Sequence, residues 1–432
     1  MHKGNFDINM NNLSKIEGHA DLDIKVEGNK VTDVKLRITE NKRFFTNAVR
    51  GKPAIATHQL VSRICGTCSI AHLTCCIEAV EKAYHHVPSY QTLMLRHLSL
   101  YGLNIRDHAM HLYLFCLPDL FGKDSLLDFA DEGYEHDLVH KAFDVKAAGN
   151  KLSTIVAGRA VHAMYPVPGN FVRIPKKEDL KAVAVDLKKV RAYALEFVDI
   201  FYKCNFEFKE QEPEYIAIKN DDFSYLGDQL CSTRNYCIPE EQFANHLTRN
   251  VIPYSQALGF KFEGKTYIVG ALARMNLNGG SLHRKTREDV GSAFRVFPSD
   301  NIYHNNLAQA IEIVNCVDRS LDIIEELEPK ERKSPVLKLE KDSEGVAAIE
   351  APRGTLYYHL KINKLGQVTY ANLVIPTAQN QISMEKNVAR LVEQNLYEGK
   401  RKREIQYEIE KLIRAYDPCM SCATHFLRVN WL

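Results

Sequence analysis

Arg63-Ile64-Cys65-Gly66-Thr67-Cys68 lies near one end of this chain and Asp417-Pro418-Cys419-Met420-Ser421-Cys422 near the other, two Cys-x-x-Cys pairs about 350 residues apart. Each pair can turn two sulfurs toward one point, and two pairs together make a four-thiolate cage for a soft or borderline metal. The plainer reading is structural zinc. Zinc sites, however, space their pairs by roughly 15 to 20 residues, because the metal replaces a missing local core. A chain of 432 residues buries a large core without that help. A thioredoxin-like redox site needs only one pair and a nearby strand-helix unit. Whatever closes this cage must therefore carry both chain ends into the interior.

Composition is that of a soluble globular protein, 45% apolar and 25% charged. With 56 basic and 54 acidic residues the net charge is +2, which makes no electrostatic case for nucleic acid or an anionic membrane surface. No apolar run approaches the roughly 18 residues of a transmembrane segment. Met1-His2-Lys3-Gly4-Asn5 lacks the apolar stretch of a signal peptide, so the chain reads as cytoplasmic. Eleven cysteines in such a chain favour free thiols and metal ligation over a disulfide framework. Beyond the cage, Cys75, Cys76, Cys116, Cys204, Cys231, Cys237 and Cys316 are expected mostly as small buried hydrophobes, and they show no second cluster-binding spacing.

Leu22, Ile24 and Val26, then Val34, Leu36 and Ile38, alternate around Glu27-Gly28-Asn29-Lys30, which predicts a hairpin over 20–38. A second hairpin is expected over 355–376, turning at Asn363-Lys364-Leu365-Gly366. Helical periodicity runs over roughly 69–86, 89–116, 178–203, 304–328, 381–397 and 402–416. The reading is an α+β chain, predominantly α-helical, with a buried helix bundle and small peripheral hairpins. Neither repeats nor linkers divide residues 1–432, so a single domain is expected, its site assembled from both termini. Cys68 precedes a helix, whose positive end should favour the thiolate.

The residues around the two pairs resemble the signatures of nickel-iron hydrogenase large subunits: Arg63 to His72, and Asp417-Pro418-Cys419 through His425. Similarity continues at Ile16-Glu17-Gly18-His19, His108 to Asp119, Glu350-Ala351-Pro352-Arg353-Gly354 and Pro376-Thr377-Ala378-Gln379-Asn380. Arg43-Phe44-Phe45, His111-Leu112-Tyr113-Leu114 and Asn305 to Ala310 look most like the cytoplasmic, bidirectional, sulfhydrogenase-type branch. The resemblance implies reversible heterolytic cleavage of dihydrogen. It implies Cys65 and Cys419 as terminal nickel thiolates, and Cys68 and Cys422 as bridges to an iron carrying cyanide and carbon monoxide. Cyanide nitrogens need donors and carbon monoxide an apolar wall, roles for Arg353 and Thr377 and for Pro352 and Pro376. Arg353 would also lend a polar group near the open metal face, held by Asp119. Glu17 is the candidate proton acceptor from a thiol, and His72 a donor to sulfur or cyanide, with a packing role as the alternative.

His425 resembles a histidine that binds magnesium or a similar ion with a glutamate after the Arg-Phe-Phe segment. Thr46 stands at that place and puts the second metal in doubt; Glu40 or water is the alternative. Residues 426–432 resemble a tail that relatives lose to a maturation protease, so the chain is either a precursor or matures uncut. The expected partners are an iron-sulfur small subunit, flavin and iron-sulfur subunits reacting with NAD(P), and nickel-insertion and maturation factors. The chain itself has no glycine-rich dinucleotide fingerprint. Two competing readings remain, a hydrogen-sensing regulator and a metal-free hydrogenase-like respiratory subunit, the second opposed by the four cysteines.

Overall fold

The six helical periodicities become the helices Ser69–Ala83, Tyr90–Ala109, Lys177–Tyr202, His304–Glu326, Pro376–Tyr397 and Lys402–Ala415 in the computed structural model, which describes residues 5–40 and 44–424. Ser89 starts the second of these, its hydroxyl accepting from Thr92 N at 3.3 Å. That helix continues through a wider turn of π geometry, Met110–Cys116, into Leu117–Leu120. The helix expected from residue 381 begins five residues earlier, at Pro376, whose fixed φ suits a first helical position and whose missing N–H costs nothing there.

A seventh long helix, Tyr134–Ala157, escapes the periodicity. Its buried stripe includes Ala142, Ala148, Gly149 and Ser153, too small to give a strong apolar signal. Small residues are what the packing requires. A Cβ on Gly149 would lie 2.7 Å from Arg106 N and one on Gly102 would lie 2.9 Å from Ser153 N, so the helices Tyr90–Ala109 and Tyr134–Ala157 pack almost backbone to backbone.

Both hairpins form, and each gains a third strand. Ala20–Glu27 and Lys30–Ile38 turn through Gly28 and Asn29, both at positive φ, the geometry that matches strand twist in a two-residue loop. Phe6–Met10 adds to their edge. Gly354–Ile362 and Val368–Val374 pair as expected, and Ser343–Ala351 completes that antiparallel sheet. Gly345 to Ala351 are all buried, so this strand lacks the alternation that would reveal it. The sheet packs beneath the helix Ser69–Ala83, inside the core rather than at its periphery.

One expectation for the cysteines is overturned. Cys231 and Cys237 face each other on the antiparallel strands Gln229–Ser232 and Tyr236–Pro239 and form a disulfide. The tight turn between them makes positions six apart direct cross-strand neighbours, a proximity that helical or free-thiol readings miss. No helix among the described residues is long and apolar enough to cross a membrane.

Two buried apolar clusters fill the interior. The four cage cysteines belong to the larger, whereas Met420 and Ala423 belong to the smaller, so the second Cys-x-x-Cys lies where the two meet.

Candidate metal centre

Three chain segments converge on the cage. Cys65 leaves a single helical turn, Ser62–Ile64, in extended conformation, and Cys68 caps the helix Ser69–Ala83. The loop between them is clamped by buried Arg106, which donates to the carbonyls of Thr67 and Ala160. Cys419 follows the helix Lys402–Ala415 through Asp417 in left-handed conformation and Pro418, which stops the helix. The third segment carries Glu17, bridged to Cys419, with Met420 N donating to Glu17 O at 2.9 Å. Gly18 makes the approach possible: at φ +84, a Cβ would sit 2.9 Å from that of Met420.

The four sulfurs lie within 4.8 Å of one another, all buried. Cys65 and Cys419 are 3.4 Å apart, Cys68 and Cys422 2.9 Å, and Cys419 and Cys422 3.0 Å. Hydrogen bonds from Cys419, Cys422 and Cys68 hold the Cys65 thiol well below its usual range. Burial pushes Cys419 and Cys422 up. Bonds from Cys419 and Cys422 pull Cys68 down, but Cys65 and burial outweigh them and push it up to about 11, contrary to the thiolate expected from its helix terminus. One thiolate stabilised by three thiols is a cage that must shed protons to take a metal.

The two sides of the cage differ. On one, Cys419 Sγ donates to Glu17 Oε2 at 2.8 Å while Cys65 Sγ is 4.0 Å from Oε1. Burial, then the Cys65 charge, raise the Glu17 carboxyl against the bond from Cys419. On the other side is a cavity of about 10 Å³ bounded by Cys68, Cys419, Cys422, Arg353, Pro376 and Thr377, with His72 beside them. That is room for a group of about water size. Arg353 Nε is buried with no hydrogen-bond partner among the described residues. An unsatisfied guanidinium donor beside four convergent sulfurs fits a metal that carries small acceptor ligands. Thr377 Oγ1 accepts from Cys419 N at 2.9 Å, which leaves its hydroxyl hydrogen to donate. His72 Nε2 lies 3.5 Å from Cys422 Sγ.

Asp119 does not hold Arg353. Arg353 Nη1 lies 2.7 Å from Asp107 Oδ2 and Nη2 2.9 Å from Asp417 Oδ1. Burial opposes its charge, but these carboxylates outweigh burial and keep the guanidinium protonated more firmly than usual. Asp119 instead grips Arg414, at 2.7 and 2.9 Å, and Lys15 at 2.7 Å. Asp107 and Asp119 are twelve residues apart along nearly continuous helix, about 18 Å of rise, so only one can reach a given partner.

Arg274, which the motifs did not reveal, fixes the loop that presents Arg353. It donates to Glu312 Oε1 and Oε2 at 2.7 Å each, to Glu350 Oε2 at 2.9 Å, and to the carbonyls of Ala351 and Pro352 at 3.0 Å each. All five guanidinium N–H donors are used. Pro352 thus contributes a carbonyl to this support, while Pro376 walls the cavity. A sequence signal for such supports is the charged triplet Arg106-Asp107-His108, at the end of a helix that is buried throughout from Leu98 to Ala109.

Thr46 opens onto a cavity of about 430 Å³ that Arg50 and Arg249 also line, two cations unsuited to neighbouring a divalent ion. Glu40 Oε1 is 3.9 Å from His19 Nε2. His425 and residues 426–432 lie outside the described residues.

The model of the family described as nickel-dependent hydrogenase matches residues 43–131 and 209–425. The chain belongs to the nickel-dependent hydrogenase family. It is 32% identical over 427 residues to the sulfhydrogenase 1 subunit alpha of Pyrococcus furiosus, covering 98% of each chain. It is 26% identical over 469 residues to the beta subunit of the NAD-reducing hydrogenase of Cupriavidus necator, covering 96% of this chain and 94% of that one. In fold it matches the crystal structure of an NAD+-reducing [NiFe]-hydrogenase in the H2-reduced state, with a TM-score of 0.85 at 21% identity, covering 97% of this chain and 99% of the other.

Proposed function

We propose that this chain is the catalytic subunit of a nickel-iron hydrogenase, cleaving dihydrogen reversibly and heterolytically and passing electrons to an iron-sulfur partner. The observation that carries this reading is the buried four-sulfur cage with a carboxyl at hydrogen-bond distance on one side and an under-satisfied arginine on the other. When bound, the nickel-iron centre supplies an open metal position that polarises dihydrogen.

The chain's own residues do the rest. Cys65, Cys68, Cys419 and Cys422 would hold the two metals; Cys65 and Cys419, the pair facing Glu17, would be the terminal thiolates on nickel, and Cys68 and Cys422 the thiolates shared with iron, on the side of the Arg353 cavity that Cys419 also reaches. Arg353 and Thr377 would donate to cyanide on the iron, and Pro376, which borders the cavity, would wall the pocket for carbon monoxide, while Pro352 serves through its carbonyl on Arg274. Glu17 takes the proton from the Cys419 sulfur, a transfer its 2.8 Å contact suits. Asp119 enters this reading only as a structural partner of Arg414. A magnesium ion at His425 would need a carboxylate, which Thr46 does not supply.

Among the described residues the cage is the one group of three or more metal-ligating side chains close enough to bind an ion. Electrons therefore leave through a partner, read as an iron-sulfur small subunit. The NAD-reducing relative favours further flavin and iron-sulfur subunits reacting with NAD(P), in a cytoplasmic assembly built around this single-domain subunit. The test is an infrared spectrum of the anaerobically purified assembly with metal content determined. Bands of metal-bound cyanide and carbon monoxide are expected; metal-replete protein without them refutes the reading.

A further inference from the structure

His72 presents one ring nitrogen to the sulfur cage and the other to a phenol. Its Nε2 is 3.5 Å from Cys422 Sγ, and its Nδ1 is 2.9 Å from Tyr358 Oη. Both side chains are buried, His72 on the helix Ser69–Ala83 and Tyr358 on the strand Gly354–Ile362, so separate elements fix the two partners. A neutral imidazole carries one N–H, and the surroundings of each nitrogen decide which one bears it. Burial raises the Tyr358 phenol well above its usual pKa, so it keeps an O–H to give. A metal-ligating cysteine is a thiolate, an acceptor only. With the proton on Nδ1, a nitrogen lone pair would face sulfur lone pairs. With the proton on Nε2, both contacts are hydrogen bonds.

We infer that Tyr358 is a positioning residue for the metal centre: its hydroxyl donates to His72 Nδ1 and thereby holds the ring in the Nε2–H tautomer, which donates to the Cys422 sulfur. Such a bond draws charge from the sulfur and so tunes the metal it bridges. The effect on turnover rests on the hydrogenase reading; the tautomer does not.

The test has two arms. In the full-length chain loaded with zinc, which makes the four cysteines thiolates, and labelled with 15N-histidine, with His72→Gln to identify the His72 signals, the wild type should show protonated Nε2 and bare Nδ1. Tyr358→Phe, which keeps the ring and its volume, should yield mixed tautomers. A wild-type His72 protonated at Nδ1, or an unchanged tautomer in Tyr358→Phe, overturns the inference. In the metal-loaded assembly, Tyr358→Phe should move the bound carbon monoxide band to lower wavenumber and cut turnover about tenfold. In a His72→Gln background it should add nothing. An equal further shift there would show that Tyr358 acts without His72 and would also overturn the inference. Failure to find any such band in the wild type counts against the hydrogenase reading alone, because the tautomer is read with zinc.

Discussion

Arg353 is buried between two carboxylates, and the choice of carboxylate has consequences for single residues. Asp107→Asn removes half of what holds the guanidinium at the cage, so turnover per bound nickel should fall about 10- to 100-fold. Asp119→Asn strands buried Arg414 and should cost about 3–5 kcal/mol of stability, while turnover per nickel stays near wild type. Dye-linked hydrogen uptake normalised to nickel, together with thermal unfolding, separates the two; a turnover defect in Asp119→Asn alone would reverse the assignment. Glu17→Gln keeps the shape of the carboxyl and loses its basicity. Nickel and iron should remain, and exchange between deuterium gas and water protons should fall about 10²- to 10⁴-fold. Normal exchange would remove Glu17 from the mechanism.

At the scale of elements, residues that reach the cage from local motifs could be named from the sequence, and those that meet it across space could not. Cys65, Cys68, Cys419, Cys422, Glu17 and Arg353 sit in short stretches whose pattern carries the chemistry. Asp107 is a partner of Arg353 only because the helix Tyr90–Ala109 passes the strand start at Gly354, a crossing no linear pattern records. On that helix successive side chains point about 100° apart. Arg106 therefore reaches the Thr67 carbonyl, Asp107 reaches Arg353 and His108 reaches Glu312. Buried on every side from Leu98 onward, the helix spends each charged residue there on a different neighbour. The docking of Pro376–Tyr397 onto the first hairpin is equally non-local: Glu385 Oε1 accepts from Leu36 N at 3.0 Å and from Tyr254 Oη at 2.9 Å. Burial pushes this carboxyl up to about 7. The folded state thus binds a proton that the unfolded chain has already released, and stability contributed below the usual carboxylate pKa is lost as pH rises toward 7. Glu385→Gln should flatten that fall by about 1–3 kcal/mol, as read from denaturant unfolding across the range. An unchanged pH slope would mean that Glu385 keeps its ordinary titration.

At the scale of the whole molecule, the metal joins the chain ends without being what folds them. Arg274, with every donor satisfied, ties the helices Ala271–Asn278 and His304–Glu326 to the buried sheet without any sulfur. The large apolar cluster likewise runs far beyond the cage. A zinc knuckle unfolds when its metal is stripped, because the metal is its core. This chain should not. After metal extraction, amide hydrogen exchange should accelerate at Ile16 to Gly18 and at Asp417 to Thr424, the two segments that carry Glu17, Cys419 and Cys422, although Met420 N still donates to Glu17 O and Cys419 N to Thr377 Oγ1. The helices Ser69–Ala83 and Tyr90–Ala109 should stay protected, since backbone packing against Tyr134–Ala157 and the buried sheet is untouched. Protection lost throughout would mean that the cage is a folding element after all. Protection lost only at the two ends would place the metal where an enzyme needs it, in a scaffold that holds its shape before the centre arrives.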